Sequence, residues 1–105
     1  MLPKASRINS GADFDRIFKT GRKFYSAEAV VFVCPSEPGS APRFGFIASK
    51  KVGNSVVRHQ IARWLRETAR PYIDAPTPVD VVVVARTSDK SIVLATEKLL
   101  KRVFS

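Results

Sequence analysis

Cationic side chains are concentrated in the middle of this 105-residue chain, on both sides of a glycine turn. Lys50 and Lys51 precede Gly53 and Asn54, and the arginine-rich segment 55–70 follows. Wound as a helix at about 100° per residue, this segment places its cationic and its apolar side chains on opposite faces. The cationic face holds Arg58 at its border, His59, Arg63, Arg66 and Arg70. Because guanidinium groups bind phosphate through paired hydrogen bonds, this face is predicted to bind a polyanion.

The turn before that helix could itself bind a phosphate group. Free backbone N–H groups and the helix dipole attract anions at the start of a helix. The alternative is an ordinary strand-to-helix turn, in which Gly53 serves only for its backbone freedom. We expect the polyanion to contact Lys50, Lys51, Gly53 and Asn54.

The residue types of the chain do not suggest a catalytic set. His59 is the only histidine, so it has no histidine partner for acid–base chemistry, and a hydrogen bond to the polyanion or to solvent is the expected role. Paired carboxylates, a Cys/His cluster and a Ser/His/Asp set are not apparent. Asp13, Asp15 and Asp80 are too scattered along the sequence to indicate a metal site. The sequence therefore predicts no catalytic side chain and no metal bound by the protein alone.

The net charge of +9 indicates a negatively charged partner. Seven basic residues and one acid lie between Arg43 and Arg70, a local excess of +6. Such a concentration favours nucleic acid or an anionic membrane surface. Nucleic acid is the stronger hypothesis, because the apolar face with Ile61, Trp64 and Leu65 is more simply buried against a sheet.

The same composition predicts a cytoplasmic protein with no membrane partner. No apolar stretch approaches the roughly 20 residues that span a bilayer. The single cysteine, Cys34, ends an apolar run. We expect it to be a buried structural thiol, compatible with a reducing compartment.

The elements that must position the cationic face follow from hydrophobic periodicity and turn signals. Ser10 and Asp13 have the spacing of a capping box, which predicts a helix ending near Thr20 with Gly21 as its C′ residue. Further along the chain we predict a strand over 25–34, a turn-rich loop over 35–42, a strand over 43–49, the helix over 55–70, a strand buried on both faces over 79–85 and a helix over 92–104. This order predicts one α+β domain over residues 1–105, a two-layer sandwich with the order α-β-β(-β)-α-β-α.

These segments together resemble the protein subunit of bacterial ribonuclease P over nearly the whole chain. The resemblance is carried by Leu2-Pro3, Arg7-Ile8, Asp13-Phe14, Ile17-Phe18, Gly21-Arg22, the run 42–46, the run 49–54, Val57-Arg58, Arg63, the run 65–67 and the run 80–86. Membership implies that the protein binds ribonuclease P RNA, with one protein per RNA, and helps it to remove the 5′ leader of precursor tRNA. The RNA, with Mg²⁺, would perform the hydrolysis.

The resemblance also implies two structural features that the residues alone do not indicate. The first is an uncommon left-handed β-α-β crossover, against the usual rule. The second is a cleft for the single-stranded leader, which assigns leader binding to Phe14, Phe18 and Phe32. By their positions alone these aromatic residues would be expected in the core, although unpaired nucleotides do stack on aromatic rings.

The sequence departs from the family pattern in the basic helix. Gln60, Ala62 and Trp64 stand where the family has cations, and His59 replaces an asparagine. We therefore expect weaker RNA binding, or compensation by other cations. A general structured-RNA-binding module of ribosomal-protein type is the main alternative. A protein-only nuclease lacks a catalytic set, and a helix-turn-helix DNA-binding protein is disfavoured because strands flank the basic helix.

Overall fold

The structure, a computed structural model, describes residues 2–8 and 10–105. Within these residues a four-stranded sheet is combined with three α-helices. The elements are α1 (Gly11–Thr20), β1 (Arg22–Tyr25), β2 (Ala29–Pro35), β3 (Arg43–Ala48), α2 (Ser55–Ala69), β4 (Val79–Ala85) and α3 (Ser91–Val103), with 3₁₀ turns at Lys4–Ser6, Lys50–Val52 and Arg70–Tyr72. The predicted α+β class is confirmed.

The predicted strand over 25–34 corresponds to β2, and β1, which overlaps the predicted range only at Tyr25, pairs with it in antiparallel orientation. β1 is the optional third strand of the predicted order. Between them, Ser26 Oγ accepts hydrogen bonds from the N–H groups of Glu28 at 3.3 Å and Ala29 at 3.0 Å. This side-chain turn needs neither glycine nor proline. The predicted start of the strand was wrong because the turn lacks the usual sequence signals.

The strands lie in the order β1-β2-β4-β3, so β4 is inserted between β2 and β3. β2 and β4 are antiparallel, whereas β3 and β4 are parallel and are connected through α2. The loop between β2 and β3 therefore does not form a hairpin. The continuous apolar run of β4 explains this position, since such strands occupy the interior of a sheet. The handedness of the β3-α2-β4 crossover stays a prediction.

The two faces of the sheet are covered unequally. Val81 and Val83 of β4 point toward α2 and α3, and the sheet and these helices form the predicted sandwich. Val82 points to the opposite face, where it packs with Ile17 of α1. Because successive side chains of a strand point to opposite faces, a strand that is apolar throughout requires a cover on both sides. α1 supplies the cover over part of the second face.

Helix α1 has the predicted bounds but not the predicted caps. Ser10 occupies the N-cap position, but its side chain makes no capping hydrogen bond. The carboxylate of Asp13 instead lies 3.5 Å from guanidinium nitrogens of Arg16 and Arg43. Gly21 follows the helix with φ −75°, so it is not left-handed. Glycine is required there by close approach, because a Cβ atom would lie 2.5 Å from the carbonyl oxygen of Ile17.

Candidate nucleic-acid interface

Helix α2 separates its apolar and cationic side chains as the periodicity predicted. Its residues Ile61 and Leu65 are fully buried against the core, and its Thr68 is buried beside them. Val57 and Trp64 are half-buried and pack against the same core. Trp64 therefore contributes to packing at a position where the family has a cation.

The predicted cationic residues of α2 lie together on the opposite side of the helix. His59, Arg63 and Arg70 are exposed. Arg58 and Arg66 are half-buried. Side chains on one face can contact an extended polyanion simultaneously, and binding by these residues stays a prediction. We call these five residues the α2 cationic face.

One member of the α2 cationic face already has an anionic partner. Arg70 donates hydrogen bonds to Glu67, with Nη2–Oε1 3.1 Å and Nε–Oε2 3.4 Å. These bonds from Arg70 lower the pKa of Glu67 below its ordinary value. Within residues 2–8 and 10–105, no carboxylate lies within 4.0 Å of the guanidinium groups of Arg58, Arg63 or Arg66. Those arginines are free to bind an external anion.

Arg58 lies at the border of the face, as the helical projection predicted. Its Nε atom is buried and has no hydrogen-bond partner among the residues that the structure describes. Phe46 and Ala62 line the small recess around it. Ala62, at a position where the family has a cation, lines this recess beside Arg58 without adding a charge.

The turn before α2 joins the end of β3 to the helix through the 3₁₀ turn Lys50–Val52. Asn54 is the N-cap, and its Oδ1 atom accepts a hydrogen bond from the N–H of Val57 at 3.0 Å. A Cβ atom at Gly53 would lie 2.6 Å from Cγ1 of Val57, so only glycine fits. Lys50 and Lys51 are exposed beside this turn. The N-cap role of Asn54 uses one helical N–H group, and the lysines remain available to an anion.

Arg43, which the local charge count included, does not belong to the α2 cationic face. On the opposite face of the sheet, its Nε and Nη2 atoms bind the two carboxylate oxygens of Asp80 at 2.9 and 2.8 Å. Arg16 of α1 binds the same carboxylate at 2.6 Å and the thiol of Cys34 at 3.0 Å. The predicted burial of Cys34 is confirmed. The local charge beside α2 is therefore smaller than the sequence count.

The pKa of Asp80 is held below its ordinary value in this cluster. Burial would raise the pKa, because the side chain is fully excluded from solvent, but the hydrogen bonds from Arg43 and Arg16 outweigh burial. The sequence carried one signal for the cluster, a single carboxylate inside the apolar run of β4. An ionised side chain in a buried strand requires a cation beside it.

The aromatic residues assigned to the leader lie together on this second face of the sheet. The rings of Phe18 and Phe32 meet edge to face with centroids 4.9 Å apart, and Phe14 lies 6.4 Å from Phe18. Phe18 is 36% exposed, whereas Phe14 and Phe32 are half-buried. The Phe14 ring covers Gly45, where a Cβ atom would lie 2.7 Å from it. Among the three rings, Phe18 therefore offers the most surface to a ligand.

Phe18 and Phe32 line a groove, here called the aromatic groove, which continues to residues of β1 and β4 that the sequence interpretation missed. Its floor includes Val30, Ile47 and Val84, and Tyr25, Lys23 and Arg86 lie at its rim. Tyr25 is 61% exposed, and the ammonium group of Lys23 lies 5.4 Å from the centroid of the Phe32 ring. A strand placed at 22–25 would have found Lys23 and Tyr25, because alternation puts both on the face of their partners Phe32 and Val30. A groove with apolar walls and cationic edges suits single-stranded nucleic acid.

Two further observations bear on the other predicted properties. In residues 2–8 and 10–105 no three His, Cys, Asp or Glu side chains come together as a possible metal site. None of the described helices has the length and apolar character needed to cross a membrane.

The chain is similar to members of one protein family over nearly its whole length. The family model for ribonuclease P matches residues 2–104. A ribonuclease P protein component from Staphylococcus aureus strain JH9 is 37% identical over 90 residues, which cover 86% of this chain and 77% of that protein. The structure of an S. aureus RNase P protein matches with a TM-score of 0.80 and 34% identity, over 95% of this chain and 93% of that chain. The RNase P protein from Thermotoga maritima matches with a TM-score of 0.74 and 26% identity, over 93% of this chain and 94% of that chain.

Proposed function

The chain belongs to the ribonuclease P protein family, and we propose that it binds its two RNA ligands on opposite faces of the sheet. It is the RNA-binding protein subunit of a ribonucleoprotein endoribonuclease that matures the 5′ end of tRNA. Our proposal concerns which residues bind each of these RNAs. The observation that carries it is the separation of a cationic helix on one face from an aromatic groove on the other.

The α2 cationic face and the preceding turn bind ribonuclease P RNA. Arg63 and Arg66 contribute free guanidinium groups, and Lys50 and Lys51 add charge at the head of the helix. Phosphate is the matching ligand, because planar guanidinium groups bind it through two hydrogen bonds. His59 adds a hydrogen bond, and Arg70 contributes less because Glu67 already binds it.

The aromatic groove binds the 5′ leader of precursor tRNA. Phe18 offers its exposed ring to a nucleobase, and Phe32 supports that ring edge to face. Phe14 lies beside Phe18, covers Gly45 and extends the aromatic surface for the leader. Lys23 at the rim neutralises backbone phosphate. Because every nucleobase has a π-face, a groove that binds by stacking and by cationic contacts to phosphate can bind any leader sequence.

Hydrolysis is assigned to the RNA partner together with Mg²⁺. The carboxylate most removed from solvent, Asp80, is bound to Arg16 and Arg43, so it is not free to hold a metal ion. The protein raises affinity for substrate and leaves the reacting phosphate to the RNA. We further propose one protein per RNA and a cytoplasmic location.

One assay tests this function against its alternatives. The purified protein is mixed with a bacterial ribonuclease P RNA and a precursor tRNA at a Mg²⁺ concentration where the RNA alone is slow. We expect stimulated cleavage at the 5′ junction. Binding of both RNAs without stimulation would indicate the general structured-RNA-binding module, and cleavage by the protein alone would indicate a protein nuclease. Either of those results would refute the proposal.

A further inference from the structure

Two arginines enclose one phenylalanine ring at the β1 edge of the sheet. The guanidinium carbon of Arg22 lies 5.5 Å from the centroid of the Phe24 ring, and that of Arg102, in the last turn of α3, lies 5.3 Å from the same centroid. Both arginines are exposed, and Phe24 is half-buried. Among the residues that the structure describes, neither guanidinium group has a carboxylate within 4.0 Å. We call these three residues the β1-edge clamp.

The β1-edge clamp adjoins the aromatic groove through the alternation of a single short strand. Lys23 and Tyr25 point into the groove, whereas Arg22 and Phe24 point to the other face, where Phe24 packs against the core beneath α3. Lys23 and Arg22 are adjacent in the chain but point to opposite faces, so a strand of RNA that leaves the groove past Lys23 reaches Arg22 by passing around the edge of β1. β1 is an edge strand, and no element of the sheet blocks this path.

Protection of the sheet edge is the simpler explanation of these cations, because charged residues on an edge strand prevent aggregation. That explanation accounts for Arg22 and Lys23 but does not require Arg102, which comes from a different element. Two like charges held near one ring repel each other in the absence of an anion. Their convergence without a carboxylate therefore favours an external anionic ligand.

We propose that the β1-edge clamp binds the distal part of the 5′ leader after it leaves the aromatic groove. This inference rests on the proposed function and extends it, because it adds a second contact for the same strand. Guanidinium groups can bind phosphate, and their planes can stack on unpaired bases. The clamp lies beside β1, whereas α2 packs over β3 at the other edge of the sheet. This separation favours the leader over the RNA bound by the α2 cationic face.

Dependence on leader length tests the clamp. The complete protein, assembled with ribonuclease P RNA, is given two precursor tRNAs that differ only in their leaders, of about 5 and about 15 nucleotides. The measured quantity is the ratio of affinities, long over short, at about 0.15 M salt. Each phosphate contact with a single strand contributes roughly fourfold at this salt, so two contacts predict a ratio of about fifteen.

Three variants isolate the clamp from general charge. The double variant Arg22→Gln with Arg102→Gln keeps side-chain stems over Phe24 and should reduce the ratio to about one. Arg102→Lys keeps the charge and should preserve most of the ratio. Lys90→Gln removes one charge at the other end of α3, about 18 Å away along the helix, and should leave the ratio unchanged. Melting temperatures identify any variant that fails to fold, and Arg22→Gln alone then serves as the second test.

Several results would overturn the clamp while leaving the proposed function intact. One is a ratio near one for the parent protein. Another is an equal loss of affinity for both leaders in the double variant, which would assign the arginines to ribonuclease P RNA. An equal effect of Lys90→Gln would reduce the clamp to general electrostatics. Failure of the proposed function looks different, because the parent would then not stimulate cleavage of even the short-leader substrate.

Discussion

Replacing Arg66 by alanine tests whether a free guanidinium group of α2 contacts RNA phosphate. Arg66 is half-buried and forms no ion pair with any described residue. One phosphate contact contributes about 0.7 to 0.9 to the slope of log affinity against log salt. The variant should lose that contribution, so the affinity ratio of parent to variant should fall about threefold between roughly 50 and 200 mM salt.

Arg70→Ala is the matched control on the same face. Its guanidinium group is bonded to Glu67 at 3.1 Å, so part of its charge is already neutralised. We expect its slope change to be less than half that of the Arg66 variant. Labelled ribonuclease P RNA, titrated with each protein at four or more salt concentrations, gives the slopes. Thermal unfolding should show both variants within about 1 kcal/mol of the parent, since Arg70 is exposed and Arg66 is only half-buried, and neither belongs to the core.

Two outcomes would refute this reasoning about Arg66. An unchanged slope and affinity in a folded Arg66 variant would mean that the side chain is merely solvated. Equal slope changes in the Arg66 and Arg70 variants would mean that the ion pair with Glu67 does not determine which arginines bind RNA.

Three further predictions follow from the described contacts. Glu67→Gln should strengthen RNA binding and increase the salt slope, because it frees Arg70; an unchanged slope in the same titration would contradict this. Phe18→Ala should weaken binding of precursor tRNA by about 1–3 kcal/mol and leave mature tRNA unaffected; equal losses in a competition assay would mean that the ring serves packing. Asp80→Asn should lower the free energy of unfolding by about 2 kcal/mol at neutral pH, less than a fully buried pair because Arg43 is 32% exposed. The folded pKa of Asp80 lies below its ordinary value, so the parent should lose this stabilisation as the pH falls below about 4. Denaturant unfolding at a series of pH values should show a smaller decrease in the free energy of unfolding for the variant than for the parent.

Local sequence predicted the helices and their faces well. The alternation of Ile61 and Leu65 with Arg63 and Arg66 was sufficient for α2, because residues three and four apart meet on one face of any helix. The buried position of β4 followed from its unbroken apolar run for a similar reason. The bounds of β1 and its turn to β2 were missed, because Ser26 closes the turn through its side chain and not through glycine or proline.

The candidate site was predicted only where its residues are close in sequence. Arg43 was counted with the basic residues of α2, but its guanidinium group binds Asp80, 37 positions away. Lys23 was not connected with Phe32, and Arg22 was not connected with Arg102. Each of these contacts depends on which strands are neighbours and on their register, neither of which is encoded in a local pattern.

The sequence by itself determined the cationic helix, its glycine turn, the class of the fold and the family, because these depend on short-range periodicity and on motifs in order. Tertiary structure alone decided which charges remain free. Pairing of β4 between β2 and β3 aligns Cys34, Asp80 and Arg43 in one row, and α1 adds Arg16 to it. A charge is fully available to RNA only if no carboxylate reaches it, and for Arg43 and Arg16 that distance is set by the packing of elements far apart in the chain.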